Sequence, residues 1–108
     1  MKKTLSMKKI IATLLLCTAA QAQAVPFASG DPAIGKKLFD DHNCNSCHVK
    51  MVGGDGNGIF TRPNHKVNSP DRLVQQLRAC GSNTDLVMTP EVEQHLGAYL
   101  NQKFYKFK

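Results

Sequence analysis

Five consecutive residues, Cys44-Asn45-Ser46-Cys47-His48, hold the densest chemistry in this chain. Two thiols three residues apart on a helical turn face the same way, so they can add across the two vinyl groups on one porphyrin edge. The imidazole that follows at once is placed to bind iron as the proximal ligand. A Cys-x-x-Cys-His run is the attachment signature of a c-type haem. Two other chemistries use similar spacings. A thioredoxin-like redox pair expects a βαβ surrounding, and this sequence has no strand-length alternation. Zinc needs four ligands at paired spacings, whereas His42, His65 and His95 form no such pair among themselves. The residues point to one covalent haem c on Cys44 and Cys47, with His48 on the metal.

The chain that must position these groups has 108 residues, enough for one domain. Lys2, Lys3, Lys8 and Lys9 precede an apolar run from Ile10 to Cys17, and Ala22-Gln23-Ala24 follows. The run is too short for an ordinary membrane span, and small-x-small is a cleavage site. Residues 1–24 therefore read as a secretory signal peptide, the mature domain as 25–108, and the location as the periplasm. Cys17 follows three leucines, whereas lipid attachment wants a small residue before the cysteine, so it is expected to leave with the leader. Met7-Lys8-Lys9 repeats the opening Met1-Lys2-Lys3, and a start at either methionine leaves the same mature chain. The net charge of +6 then misleads, because the 84 mature residues carry ten basic and eight acidic side chains. That balance removes nucleic acid as the default partner. No second apolar run exists, so the mature chain is expected not to span a membrane. Its cysteines number three, Cys44, Cys47 and Cys80. An exported chain built on disulfides alone shows an even count.

Three helices are expected around the motif. Asp31-Pro32, Ser69-Pro70 and Thr89-Pro90 each put a capping residue before a proline at the first helical position. The first helix carries Ile34, Leu38 and Phe39 on one face, with Gly35 costing stability unless another element approaches there. Leu73, Val74, Leu77 and Cys80 make the buried stripe of the second, which Gly81 ends. In the third, Val92, Leu96, Tyr99 and Leu100 face inward while Glu93, Gln94 and Asn101 face water. Residues 25–30 read as a loose lead-in. Gly53-Gly54-Asp55-Gly56-Asn57-Gly58 reads as a loop bending tightly beside a flat cofactor, not as a phosphate cradle, since no Gly-Lys-Ser/Thr ending follows. Pro63, fifteen residues past His48, could offer its carbonyl to the His48 Nδ1–H or simply form a turn. The fold class is all-α, and the basic, aromatic tail from Lys103 is expected to pack back on the last helix.

These residues together resemble the class I c-type cytochromes over most of the mature chain. The matching pieces, in order, are Gly35-x-x-x-Phe39, CNSCH, the glycine-rich loop, Thr61-Arg62-Pro63-Asn64 and Ala98-Tyr99-Leu100. CxxCH is specific, and the others matter by their order. The resemblance implies a small helical fold around one haem, with first and last helices crossing where Gly35 meets the Tyr99 region. It also implies His48 as proximal ligand and periplasmic electron transport as the work, with redox proteins as partners and no catalytic residues.

The sixth iron position is less defined by the residues. In the resembled family a methionine usually arrives ahead of the last helix, and Met88 is the candidate there. It sits directly before the Thr89-Pro90 helix start, where a methionine can equally be core filling. His65 would give two histidine ligands but follows Pro63 on the expected proximal side; His42 and His95 read as surface residues. Asn83 is a further candidate. The segment from Cys80 to Pro90 is similar to the distal segment of the sphaeroides haem proteins, departing from it at Gly81, which keeps an open or weakly ligated iron in view. Cys80 reads as a helix residue completing its stripe, with a thiolate ligand or intermolecular disulfide as the sharper options. Two functions follow: a soluble one-electron carrier, or a haem protein or redox-enzyme subunit with an open site for a small ligand. Lys36, Lys37, Lys50 and Lys66 could ring a haem edge and steer acidic partners.

Overall fold

The computed structural model describes residues 25–108; the expected signal peptide, with Cys17 and Met7, lies outside the described residues. Five α-helices follow in order: α1 Pro32–Asp41, α2 Ser46–Val52, α3 Gly58–Thr61, α4 Pro70–Gly81 and α5 Pro90–Leu100. A π-helical turn over Asn101–Tyr105 continues α5. Among the described residues there is no strand, so the fold is all-α as expected. No helix among them is long and apolar enough to cross a membrane.

The three capped helices start where their sequence signals lie. Asp31 accepts a hydrogen bond from the Ala33 N–H at 2.9 Å. Ser69 Oγ accepts from Arg72 N–H and Thr89 Oγ1 from Val92 N–H, both at 3.2 Å. Such a side chain satisfies one orphan donor of the first turn, an effect of about 1 kcal/mol. Proline follows each cap, where its missing N–H costs nothing.

The α1–α5 crossing is the main contact between elements. A Cβ on Gly35 would stand 2.0 Å from the His95 carbonyl oxygen and 2.8 Å from Tyr99 Cβ. The two backbones therefore touch, and only the absence of a side chain permits it. Phe39, Leu96, Tyr99 and Leu100 bury around this crossing, and Leu73 of α4 joins them.

Several expectations need correction. The lead-in is not loose: Phe27 is 7 % exposed and its ring lies against Gly97, where a Cβ would approach within 2.3 Å. Ile34 does not share the apolar face, being 45 % exposed, because the face of α1 that meets α5 runs through Gly35 and Phe39, one position round the helix from it. Glu93 does not face water. It is buried, and its two carboxylate oxygens accept from Arg78 Nε at 2.6 Å and the second guanidinium nitrogen at 3.2 Å. A buried carboxylate requires such a partner. Asn101 is half-buried and clamps the chain end, accepting from the Phe107 N–H at 2.6 Å and donating to its carbonyl at 3.2 Å. The tail consequently packs inward, with the Phe104 ring stacked on Phe60 at 4.8 Å and Tyr105 stacked on Phe107 at 5.3 Å.

Candidate functional site

α2 begins inside the CNSCH run, so Cys47 and His48 sit on its first turn, with Cys44 just ahead. The stretch from Asp41 to Ser46 carries the chain round from α1, with the Cys44 N–H held by the Phe39 carbonyl at 3.1 Å. These turns bring Cys44, Cys47 and His48 to one cleft of about 580 Å³, within the range of pockets that take organic ligands. Its apolar wall comes from distant elements: Ile59 and Phe60 of α3, Leu73 and Leu77 of α4, and Leu96 and Leu100 of α5. The α4 stripe thus has a second purpose, since Leu77 and Cys80 face the cleft.

Electrostatics inside the cleft favour neutral groups. Burial pushes the Cys44 thiol up, with the neighbouring Cys80 adding to it. A nucleophilic redox cysteine needs a lowered pKa, so this thiol is not prepared for disulfide exchange. Cys44, Cys47 and Cys80 are all free. Burial first, and then the Arg62 guanidinium, hold the His48 imidazole below its ordinary value. Its ring is therefore neutral at pH 7 and keeps a lone pair for a metal. Among the described residues no three His, Cys, Asp or Glu side chains gather as a metal-binding cluster, which leaves a protein-only zinc site without its ligands.

Two polar atoms beside the cleft lack a partner. Arg62 Nε and His65 Nδ1 are buried with no hydrogen bond, although both residues line the cleft. Buried polar atoms of this kind are normally satisfied. A ligand that fills the space between apolar walls and brings polar atoms here, an acceptor for the Arg62 Nε–H among them, would satisfy them. The Cys44 and Cys47 thiols and the His48 imidazole beside them are a donor set that would suit a haem c bearing two carboxylate arms.

Of the sixth-position candidates, Met88, Asn83, His65 and Cys80 all line the cleft. The Met88 side chain lies along the end of α4, where a Cβ on Gly81 would stand 3.1 Å from its methyl carbon. His65 is half-buried, its ring edge-on to Tyr105 at 5.9 Å. Cys80 Sγ accepts from Gln76 Nε2 at 3.3 Å. His42 and His95 are not plain surface residues. His42 Nδ1 lies 2.9 Å from Asp85 Oδ1, a hydrogen bond that holds Asp85 below the ordinary carboxylate range. It thereby joins the end of α1 to the loop before α5. His95 Nδ1 accepts from the Asp31 N–H at 2.9 Å, fastening the start of α1 to α5.

Pro63 does not hold His48. The residue is exposed, and His48 Nδ1 instead meets Asn45 Oδ1 at 2.8 Å. An amide three residues before a histidine on a helical turn lies on the same face, a signal already present within CNSCH. Arg62 and Tyr105 also line the cleft unannounced by any spacing. Of the four lysines expected to ring it, only Lys66 does. Lys36 and Lys37 are paired with Asp40 and Asp41 one turn on. No protein-family model, curated protein or solved structure matches this chain.

Proposed function

We propose that the mature chain is a monohaem c-type cytochrome of the periplasm, working as a one-electron carrier. The observation that carries this reading is that Cys44, Cys47 and His48 line one apolar cleft whose edge holds the unpartnered Arg62 Nε and His65 Nδ1. The two cysteine sulfurs would hold the porphyrin by thioether links, and His48 would bind the iron. Leu73, Leu77, Leu96 and Leu100 exclude water from the cleft, which raises the cost of net charge there. Arg62 would offer its Nε–H to a carboxylate arm, with the His65 ring beside it. When bound, the haem supplies a one-electron change at iron. Lys66 and Asp85 carry opposite charges at the cleft, so the lining by itself sets no single sign for a redox partner.

A second reading has its own observation. The Met88 methyl packs on Gly81, so Met88 serves as core filling as well as standing at the cleft. On that reading the sixth position is open, and the protein takes a small ligand or serves as the haem subunit of a redox enzyme.

Two measurements separate these. Protein exported from a maturation-competent host should give a c-type reduced spectrum that survives acid-acetone extraction, and mass analysis should show both Cys44 and Cys47 modified. A bare polypeptide would sink both readings. Carbon monoxide added to the reduced form should bind slowly if Met88 holds the iron, and much faster in Met88→Ala. Rapid binding by the parent, unaltered in the variant, leaves the open-site reading.

A further inference from the structure

Asn45 occupies the N-cap of α2, yet its side chain makes no capping bond. An asparagine there ordinarily accepts from the second or third N–H of its helix. Here the side chain is turned to other partners. Its Nδ2 donates to the Asp55 carbonyl at 3.0 Å and to Asn57 Oδ1 at 2.6 Å, while Oδ1 faces His48 Nδ1 at 2.8 Å.

The direction of every bond in this chain is determined. An ionised carboxylate only accepts. Asp55 Oδ1 accepts from the Asn57 backbone N–H at 2.9 Å, and Asp55 Oδ2 from Asn57 Nδ2 at 3.0 Å. The Asn57 oxygen must then face Asn45, whose NH₂ donates to it and whose own oxygen is left for His48. Turning the Asn45 amide would set its oxygen against two acceptors. The Nδ1 of His48 must therefore carry the proton, and its lone pair lies on Nε2. Gly56 lets the loop lie this close: its φ is +85°, and a Cβ would stand 3.1 Å from both Asn45 Cγ and His48 Cβ.

We propose that Asn45, tied through Asn57 to the Asp55 carboxylate, is the positioning residue that fixes the His48 tautomer and tunes how strongly Nε2 donates to the haem iron. The inference rests on the haem reading above. An acceptor on the far nitrogen raises ligand basicity, and a more basic ligand favours ferric iron. The glycine-rich loop thus acts through a side chain inside the attachment motif.

The test uses the full chain matured with haem, reading its reduction potential and, in a Met88→Ala background that leaves the ferrous iron five-coordinate, the resonance Raman iron–histidine stretch. Asn45→Ala should shift the reduction equilibrium towards ferrous by about tenfold, about 59 mV for one electron, and lower the stretch. Asn45→Asp, a stronger acceptor, should move both the other way. A residue that only anchored the loop would move them in the same direction in both variants, and that outcome overturns the proposal. Asn57→Ala, which leaves Asn45 in place, should shift both in the alanine direction by less. A potential and stretch unmoved in all three variants, with both thioethers intact, overturn this inference alone. A parent chain that matures without haem overturns it together with the haem reading.

Discussion

Tyr105 shows how a single side chain registers the site. Its ring lines the cleft between His65 and Phe107, and burial pushes its hydroxyl from 10.0 up to about 12, with Cys80 adding to the rise. The folded state therefore prefers the neutral phenol more strongly than the unfolded chain does. That contribution to stability is complete below pH 10 and is lost as pH rises from there through about 12. Denaturant stability measured across this window should fall more steeply for the parent than for Tyr105→Phe. Parallel curves would mean that Tyr105 is solvated. At the same scale, the Glu93–Arg78 pair was hidden in the sequence: its partner choice depends on burial, and polarity alone assigned Glu93 to the surface. The Asn45–His48 contact was legible in the three-residue spacing inside CNSCH, although Pro63 was weighed in its place.

Among the elements, the α1–α5 crossing carries the sharpest consequence. Alanine is intrinsically better than glycine in a helix by about 1 kcal/mol, so Gly35→Ala would stabilise an exposed helix. Here the added Cβ meets a backbone carbonyl at 2.0 Å, and a backbone atom cannot step aside as a side-chain tip can. The variant should lose about 3 kcal/mol, the upper part of the range for overpacking, seen as a lower denaturant midpoint with an unchanged slope. Lys36→Ala, on the exposed face of the same helix, should leave the midpoint nearly unchanged. An unaltered midpoint in Gly35→Ala would show that the helices do not touch there. The need for a close neighbour at Gly35 was legible in the sequence, because glycine mid-helix is costly without one. The short α2 and α3 were less so, since runs of seven and four residues on either side of a glycine loop are too short to carry a helical periodicity.

For the whole molecule, the apolar surface is arranged around a cleft and not a closed centre. Leu77, Val74, Ile59 and Met88 are only partly buried and pack against the core cluster, and Leu77, Ile59 and Met88 face the cleft as well. A domain of this length has a marginal core by itself, and a covalently held plate filling the cleft would complete it. The double variant Cys44→Ser/Cys47→Ser, exported from the same host, should therefore show little helical circular dichroism and no cooperative melting. A helical, cooperatively melting variant would show that the polypeptide holds its fold without the cofactor.

The sequence by itself determined what rests on neighbours along the chain: the three capped helix starts, the helical class, and the spacing that puts two thiols and an imidazole on one turn. These follow from hydrogen bonds and rotations spanning a few residues. Tertiary structure decided what depends on groups far apart in sequence. It seated Phe27 on Gly97, buried Glu93 beneath Arg78, and tied the Asn45 amide to Asp55 and Asn57 of the glycine loop. The reason is physical. A buried polar or bulky group takes whichever partner packing brings within reach, and that choice is made only when α1, α4, α5 and the glycine loop close around the same cleft.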